Sequence, residues 1–278
     1  MQLEEDLWEA RHRWGRSLFL LSVYGQQSAK YEQVLRTEPD NVEALVCLGY
    51  ALEKLGHYED AIVHFERAIV LRSQCALAWQ GRGVSLGKLC HYEEALTSFH
   101  QALKFEPDDY RNWQNHGKIL LNLSRYRDAI ASFDRALAIN PDTHKAWYNR
   151  GIARSCLNCQ QAALLDIDRA LKIKPNCDYV WNYRGVILNK LRRHAEALVS
   201  FDNCLKTNDR SASAWYGKAC TYAIQRDLDR ALENLDRAIQ LSPYTIRGMA
   251  ATDLSFREIR EDARFQKLIR AEIKVAQH

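Results

Sequence analysis

Cysteine, histidine, carboxylate and glycine are the residues whose spacing could announce chemistry, and each is accounted for without a reaction. Cys156-Leu157-Asn158-Cys159 is a CxxC pair. A structural zinc takes four ligands, usually from two such pairs, yet only Cys177 lies near in sequence and no second pair exists. A thioredoxin-like redox use needs a βαβ setting, which the helical period described below excludes. The nine histidines include no HExxH pair, and His57, His91 and His194 fall at or near recurring turns, where water reaches them. The glycines are single, so no phosphate-cradling loop forms. Glu59-Asp60 and Glu93-Glu94 open helices, where negative charge complements the helix dipole. The expectation is a chain without catalytic residues, metal or cofactor.

Composition narrows the class further. With 278 residues, 47% hydrophobic and 27% charged, the chain can bury a substantial core. Its 39 Lys+Arg against 35 Asp+Glu leave a net charge of only +4, far from the excess with which nucleic-acid binders track phosphates. The eight cysteines are scattered, mostly where another small apolar side chain would serve, and a disulfide framework is not expected in so long a chain without an export signal. The apolar run from Leu18 to Tyr24 is interrupted by Ser22 and is far short of the ~20 residues that span a bilayer. Glu4, Glu5 and Asp6 replace the basic start of a secretory signal, so the expected compartment is the cytoplasm.

What positions these residues is an internal period, the first thing to look for in such a chain. Trp79, Trp113, Trp147, Trp181 and Trp215 stand 34 residues apart, with Leu45 in the same phase one period earlier. Gly15, Gly49, Gly83, Gly117, Gly151 and Gly185 repeat at that interval, and Ala219 takes the next slot. Ala61, Ala95, Ala129, Ala163, Ala197 and Ala231 make a third series. All five prolines, Pro39, Pro107, Pro141, Pro175 and Pro243, share one phase, with Ser73 and Asp209 filling the gaps. Proline has no amide hydrogen and clashes with the preceding helical turn, so each proline phase marks a helix end.

Trp113, Gly117 and Leu120 lie on one helical face at i, i+4 and i+7, and Ala129, Phe133 and Ala136 lie on another. The turn Leu123-Ser124-Arg125-Tyr126 separates them, making each unit a helix–turn–helix hairpin. Small Gly and Ala let the helices approach while Trp and Phe fill the space beside them. One flank of each hairpin stays apolar until the next hairpin covers it. Asn41, Asp109, Thr143, Ser211 and Thr245 follow the proline phase as candidate N-caps, whereas Cys75 and Cys177 occupy that slot as poor caps.

The Trp/Gly/Leu…Ala/Phe…Pro pattern, running from about Trp8 to Thr245, resembles the tetratricopeptide repeat family. The RNA-reading pentatricopeptide family, with a period near 35, fits worse because no drift from 34 appears. The resemblance implies an all-α fold, a right-handed superhelical α-solenoid whose first helices line a concave groove. Six repeats are expected at 42–75, 76–109, 110–143, 144–177, 178–211 and 212–245. Residues 1–41 form a degenerate N-terminal repeat, in which Arg11 replaces the tryptophan and Gln27 the alanine while Gly15, Tyr31 and Pro39 keep phase. Residues 246–278 form C-terminal capping helices, with 255–260 followed by 263–269 reading as one or two amphipathic helices, and that tail resembles the closing segment of bacterial, especially cyanobacterial, members.

Function in such a fold belongs to first-helix residues that point away from the packing face. These are Arg111, Gln114, Asn115, Lys118 and Asn122, then Lys145, Tyr148, Asn149 and Ile152, then Tyr179, Asn182, Tyr183, Asn189 and Lys190. They are cations, amides and tyrosines, with no carboxylate. Amides both donate and accept, so several in register could hold an extended peptide backbone. Lysine and arginine beside them favour acidic side chains or a free C-terminal carboxylate, and tyrosines add contact area at little rotamer cost. A carboxylate clamp like that of chaperone-binding members is matched by Asn115 and Lys145 but not by Val84 or Asn149. The reading is a protein-interaction scaffold binding a protein or peptide. RNA binding through the same basic and aromatic surface is the alternative, and the oligomeric state is left open.

Overall fold

The computed structural model describes residues 22–270, so Gly15, Arg11 and the Leu18–Tyr24 run fall wholly or partly outside the described residues. They divide into two compact units, one ending at Pro141 and the other beginning at Asp142. The first unit contains α1 (22–37), α2 (Val42–Leu55), α3 (Tyr58–Leu71), α4 (Ala76–Lys88), α5 (Tyr92–Phe105), α6 (Tyr110–Asn122) and α7 (Tyr126–Ile139). The second contains α8 (His144–Cys156), α9 (Gln160–Ile173), α10 (Asp178–Lys190), α11 (His194–Thr207), α12 (Ala212–Ile224) and α13 (Leu228–Leu241). It closes with α14 (Pro243–Thr252), a 3-10 turn at Leu254–Phe256 and α15 (Ala263–Arg270). Helices alone make the fold among the described residues, in antiparallel hairpins that stack in chain order within each unit.

The hairpins close because an aromatic ring of the second helix enters a notch in the first. A Cβ added to Gly117 would stand 2.8 Å from the Phe133 ring, and one on Gly185 would stand 2.6 Å from Phe201. The next hairpin seals the same ring from the other side, since Gly81 and Gly217 lie equally close to Phe65 and Phe201 of the preceding repeat. Phe65, Phe99, Phe133 and Phe201 are accordingly among the largest fully buried side chains.

The tryptophans are only half-buried, less than a pure core role would require, and their indoles show why. In four of them the N–H donates to the carbonyl six residues earlier: Trp79 to Ser73 at 2.8 Å, Trp113 to Pro107 at 2.8 Å, Trp181 to Pro175 at 2.7 Å and Trp215 to Asp209 at 2.9 Å. The indole therefore pins the inter-repeat linker to the helix that follows it, using the polar edge that a buried tryptophan must satisfy.

Asn41, Asp109 and Ser211 cap their helices by side-chain bonds, while Thr143, Cys75 and Cys177 make none to the helix amides. Thr245 is not a cap. Pro243 is the first residue of α14 and Ser242 its N-cap, because proline's fixed φ and missing N–H suit the first helical turn. The final proline phase thus begins a helix, and of the stretch read as one or two amphipathic helices the second part is helical, as α15. Beyond α14, a 3-10 turn and loop carry the buried Phe256 and Ile259, and α15 brings in Phe265, all against α12 and α13.

Candidate functional site

A repeated polar contact runs behind the first helices. The residue three after each of the five repeat tryptophans reaches the second helix of its own hairpin, sixteen residues on, that of the preceding hairpin, sixteen back, or both. In the second unit Arg184 bonds Ser200 at 2.8 Å and Asp168 at 2.7 Å, and Lys218 bonds Asp202 at 2.8 Å. Arg150 holds both oxygens of Asp166, at 3.0 and 2.7 Å, with Arg154 adding a bond at 2.9 Å to a carboxylate only 2% exposed. Buried charge persists only when paired in this way. In the first unit Arg82 joins Ser98 and Glu66, but the next position is His116, bonded to Ser132 at 2.9 Å and to His100 at 3.0 Å. A separation of sixteen belongs to no helical period, so these contacts were not visible in the sequence pattern.

On the first-helix face of the first unit, α2, α4 and α6 are cross-linked by polar groups. The Tyr50 hydroxyl lies 2.9 Å from the Leu77 carbonyl and 3.1 Å from Gln80 Oε1, and burial pushes its pKa up. Gln80 donates to Asn112 at 2.6 Å and Asp109 at 3.3 Å. Arg111 is held by both oxygens of Asp109, each at 3.0 Å. Burial raises the Asp109 pKa, but the Arg111 bonds overcome it and leave the carboxyl below its usual range. Arg111 is therefore a neutralised cation, held by the carboxylate two residues before it.

Three other expected residues come together. Asn115, Lys118 and Asn122 of α6 line a pocket of about 90 Å³ with Val84 and Lys88 of α4. Lys88 and Val84 complete the pocket from the neighbouring first helix; Lys88 could have been found as the last-turn lysine of α4. Gln114 is half-buried on the same helix. A larger, open depression of about 600 Å³ follows the linker from Glu106 to Arg111 and is dominated by acidic groups.

In the second unit Tyr148, Tyr179 and Tyr183 stand in the slots that Gln114, Arg111 and Asn115 hold in the first. Tyr148 packs edge-to-face on Tyr179 at 4.9 Å and on Tyr183 at 5.8 Å. Burial pushes the Tyr148 pKa up to about 12, and His144 bonds the Tyr179 hydroxyl at 3.2 Å. Asn189 donates to Thr221 at 2.7 Å, and Lys190 reaches Ser155 at 3.3 Å, so both bridge neighbouring repeats. The Asn182 amide oxygen is buried without a hydrogen-bond partner. Lys145 is exposed, and Asn149 and Ile152 are half-buried.

Cys156 and Cys159 are exposed free thiols at the α8–α9 turn. Among the described residues no three or more His, Cys, Asp or Glu side chains gather as a metal set, and no helix is long and apolar enough to cross a membrane.

Stacked helical hairpins with a glycine notch, a tryptophan-pinned linker and a first-helix face lined by polar groups define a class of repeat protein. Tetratricopeptide repeat models match residues 42–75, 76–109, 115–154 and 212–245, just over half of the chain. The chain belongs to the tetratricopeptide repeat family. Residues 155–211, between the matched segments, carry the same notch and linker bond at Gly185 and Trp181.

Among solved structures, the chain is similar to YrrB, described as a TPR protein with an unusual peptide-binding site. The TM-score is 0.54 at 24% identity, over 66% of this chain and 94% of that one. It is similar to PilF of Pseudomonas aeruginosa, with a TM-score of 0.66 at 19% identity over 79% of this chain and 96% of that one. A chain of the APC/C hetero-tetramer Cut9–Hcn1 aligns with a TM-score of 0.70 at 14% identity, over 91% of this chain and 48% of that one. At these identities the likeness is one of fold. No curated protein sequence matches.

Proposed function

We propose that this chain is a non-catalytic, cytoplasmic interaction scaffold that takes an extended peptide on its first-helix face. The peptide carries acidic side chains or a free C-terminal carboxylate. In this reading the repeats from 42–75 to 212–245 form the scaffold, with 1–41 and 246–278 as end caps. The observation that carries it is the pocket in which Asn115, Lys118 and Asn122 meet Lys88. Amides at that spacing offer donors and acceptors to a peptide backbone, and two lysines at one mouth favour an anionic group through charge-assisted bonds. The fold shared with YrrB, a peptide binder by its description, supports the same class of ligand. In the second unit Lys145, Tyr148, Asn149, Tyr179, Asn182 and Tyr183 supply a further contact region built around an aromatic cluster. Arg111, Asn189 and Lys190 act as supports, because each is engaged within the chain.

The reading is tested with a library of fluorescent acidic peptides, each with a free or an amidated C-terminus, measured by anisotropy. Binding by wild type and a loss of about tenfold or more in Lys88→Glu and Lys118→Glu is the expected result, the size of one charge-assisted contact. Selected peptides that bind both variants as tightly as wild type would move the site off this face.

A further inference from the structure

Three positions with the same spacing place a cation on a carboxylate sixteen residues earlier: Arg82 on Glu66, Arg184 on Asp168 and Lys218 on Asp202. At the remaining such position of the first unit both partners are replaced together, and His116 faces His100 with 3.0 Å between their Nε2 atoms. The geometry fixes the roles of these atoms. Ser132 Oγ donates to the Asp128 carbonyl at 3.0 Å, so at its 2.9 Å contact with His116 Nδ1 it must accept. The His116 proton is thereby placed on Nδ1, and Nε2 presents a bare lone pair towards His100. This is the arrangement that orients metal-ligating histidines, where the second ring nitrogen is committed to a neighbouring acceptor.

We propose that His100 and His116 form a two-nitrogen chelating site for a divalent transition-metal ion of the nickel, copper and zinc group. Two imidazole nitrogens bound at right angles to one ion, each about 2.1 Å away, stand about 3.0 Å apart, which matches the observed separation. Imidazole suits these ions, and a right-angled pair completed by water suits the tetragonal geometry of nickel or copper. His100 is exposed on α5 while His116 is buried on α6, so water can fill the other positions from the open side. His100 is the titratable group that meets the His116 Nε2. The other charged groups that face it, Arg125 and Asp128, pair with one another at 2.9 Å. They therefore place no uncompensated cation beside the ion. A bound metal would join α5 to α6, the helix junction that the charged pairs bridge in the other repeats.

Nickel(II) chloride is the probe, titrated calorimetrically into the untagged full chain after treatment with a chelator. Thermal melts are recorded in parallel. Wild type is expected to take up one equivalent saturably and to melt at a higher temperature with nickel, since an ion that binds only the folded state stabilises it. His100→Gln, changed at an exposed position, should keep its fold and lose both effects. Ser132→Ala, which frees the His116 ring, should weaken nickel about tenfold. Uptake and melting shifts equal in wild type and His100→Gln would overturn the assignment. So would a wild type whose melting is unmoved by nickel, the behaviour of a histidine pair that shares only a proton.

Discussion

The two units place different chemistry in the same slots of one repeat. Behind the first helices, the second unit uses permanent charge, with Arg150, Arg184 and Lys218 each seated on an aspartate. The first unit uses Arg82 once and then a neutral histidine pair. On the first-helix face the order reverses in character: the first unit gathers lysines and amides around a pocket, whereas the second packs three tyrosines together, of which Tyr183 takes the slot of the pocket residue Asn115. The backbone is indifferent to these exchanges because the Gly–Phe notch and the tryptophan–linker bond carry the hairpin geometry. Slots outside that framework are free to vary, and that is where the two units acquire distinct properties.

The sharpest way to break the comparison is to remove a buried charge from the second unit. Asp166→Ala leaves Arg150 and Arg154 without their shared, 2%-exposed carboxylate and should cost about 3–5 kcal/mol in urea unfolding. Ser132→Ala, which removes two neutral hydrogen bonds in the first unit, should cost only about 1–2 kcal/mol. Equal losses would mean that charge and neutral contacts are interchangeable.

Acid should act in the opposite direction, on the first unit. His116 has a pKa of about 4 in the fold, below its ordinary 6.5, so the unfolded chain binds a proton first as pH drops. The stability linked to this group is whole above pH 6.5 and declines as pH falls towards 4, by up to about 3 kcal/mol. Urea melts across that window should show the decline, and His116→Gln should remove its share of it. Arginine keeps its charge throughout this range, so a decline of the same size after that substitution would assign the effect elsewhere.

The smallest effect concerns something both units share. The residue that closes each hairpin turn has positive φ: Gly56, Cys90, Ser124, Asn158, Arg192 and Arg226, at 58–87°. Only the first is the residue that adopts this conformation without strain. Cys90→Gly in the first unit and Arg192→Gly in the second should each stabilise by about 0.5–1 kcal/mol, the left-handed penalty less the extra freedom of glycine. Similar gains in thermal melts would show that the framework is uniform, while unequal gains would extend the difference between units to the turns.

Much of the fold was legible because packing in this chain is periodic. Trp113, Gly117, Phe133 and Pro141 each recur at one interval, and small-against-large spacing on two faces dictates a helical hairpin whatever fills the other slots. The left-handed turn was hidden because four different residue types occupy its five positions after Gly56. The Thr245 cap was misplaced because the repeat phase was carried one unit past its end, into a helix that starts at Pro243. Arg111 looked available because its partner Asp109 lies two residues away across a cap, where helical periodicity does not apply.

The sequence by itself determined the hairpins, their order and the faces they bury, since these follow from local period and the volume of neighbouring side chains. Only the tertiary structure decided which polar groups meet. The contacts of His116 with His100 and of Arg184 with Asp168, and the gathering of Lys118 and Lys88 around one pocket, involve separate helices, and their geometry is set when one hairpin docks on the next.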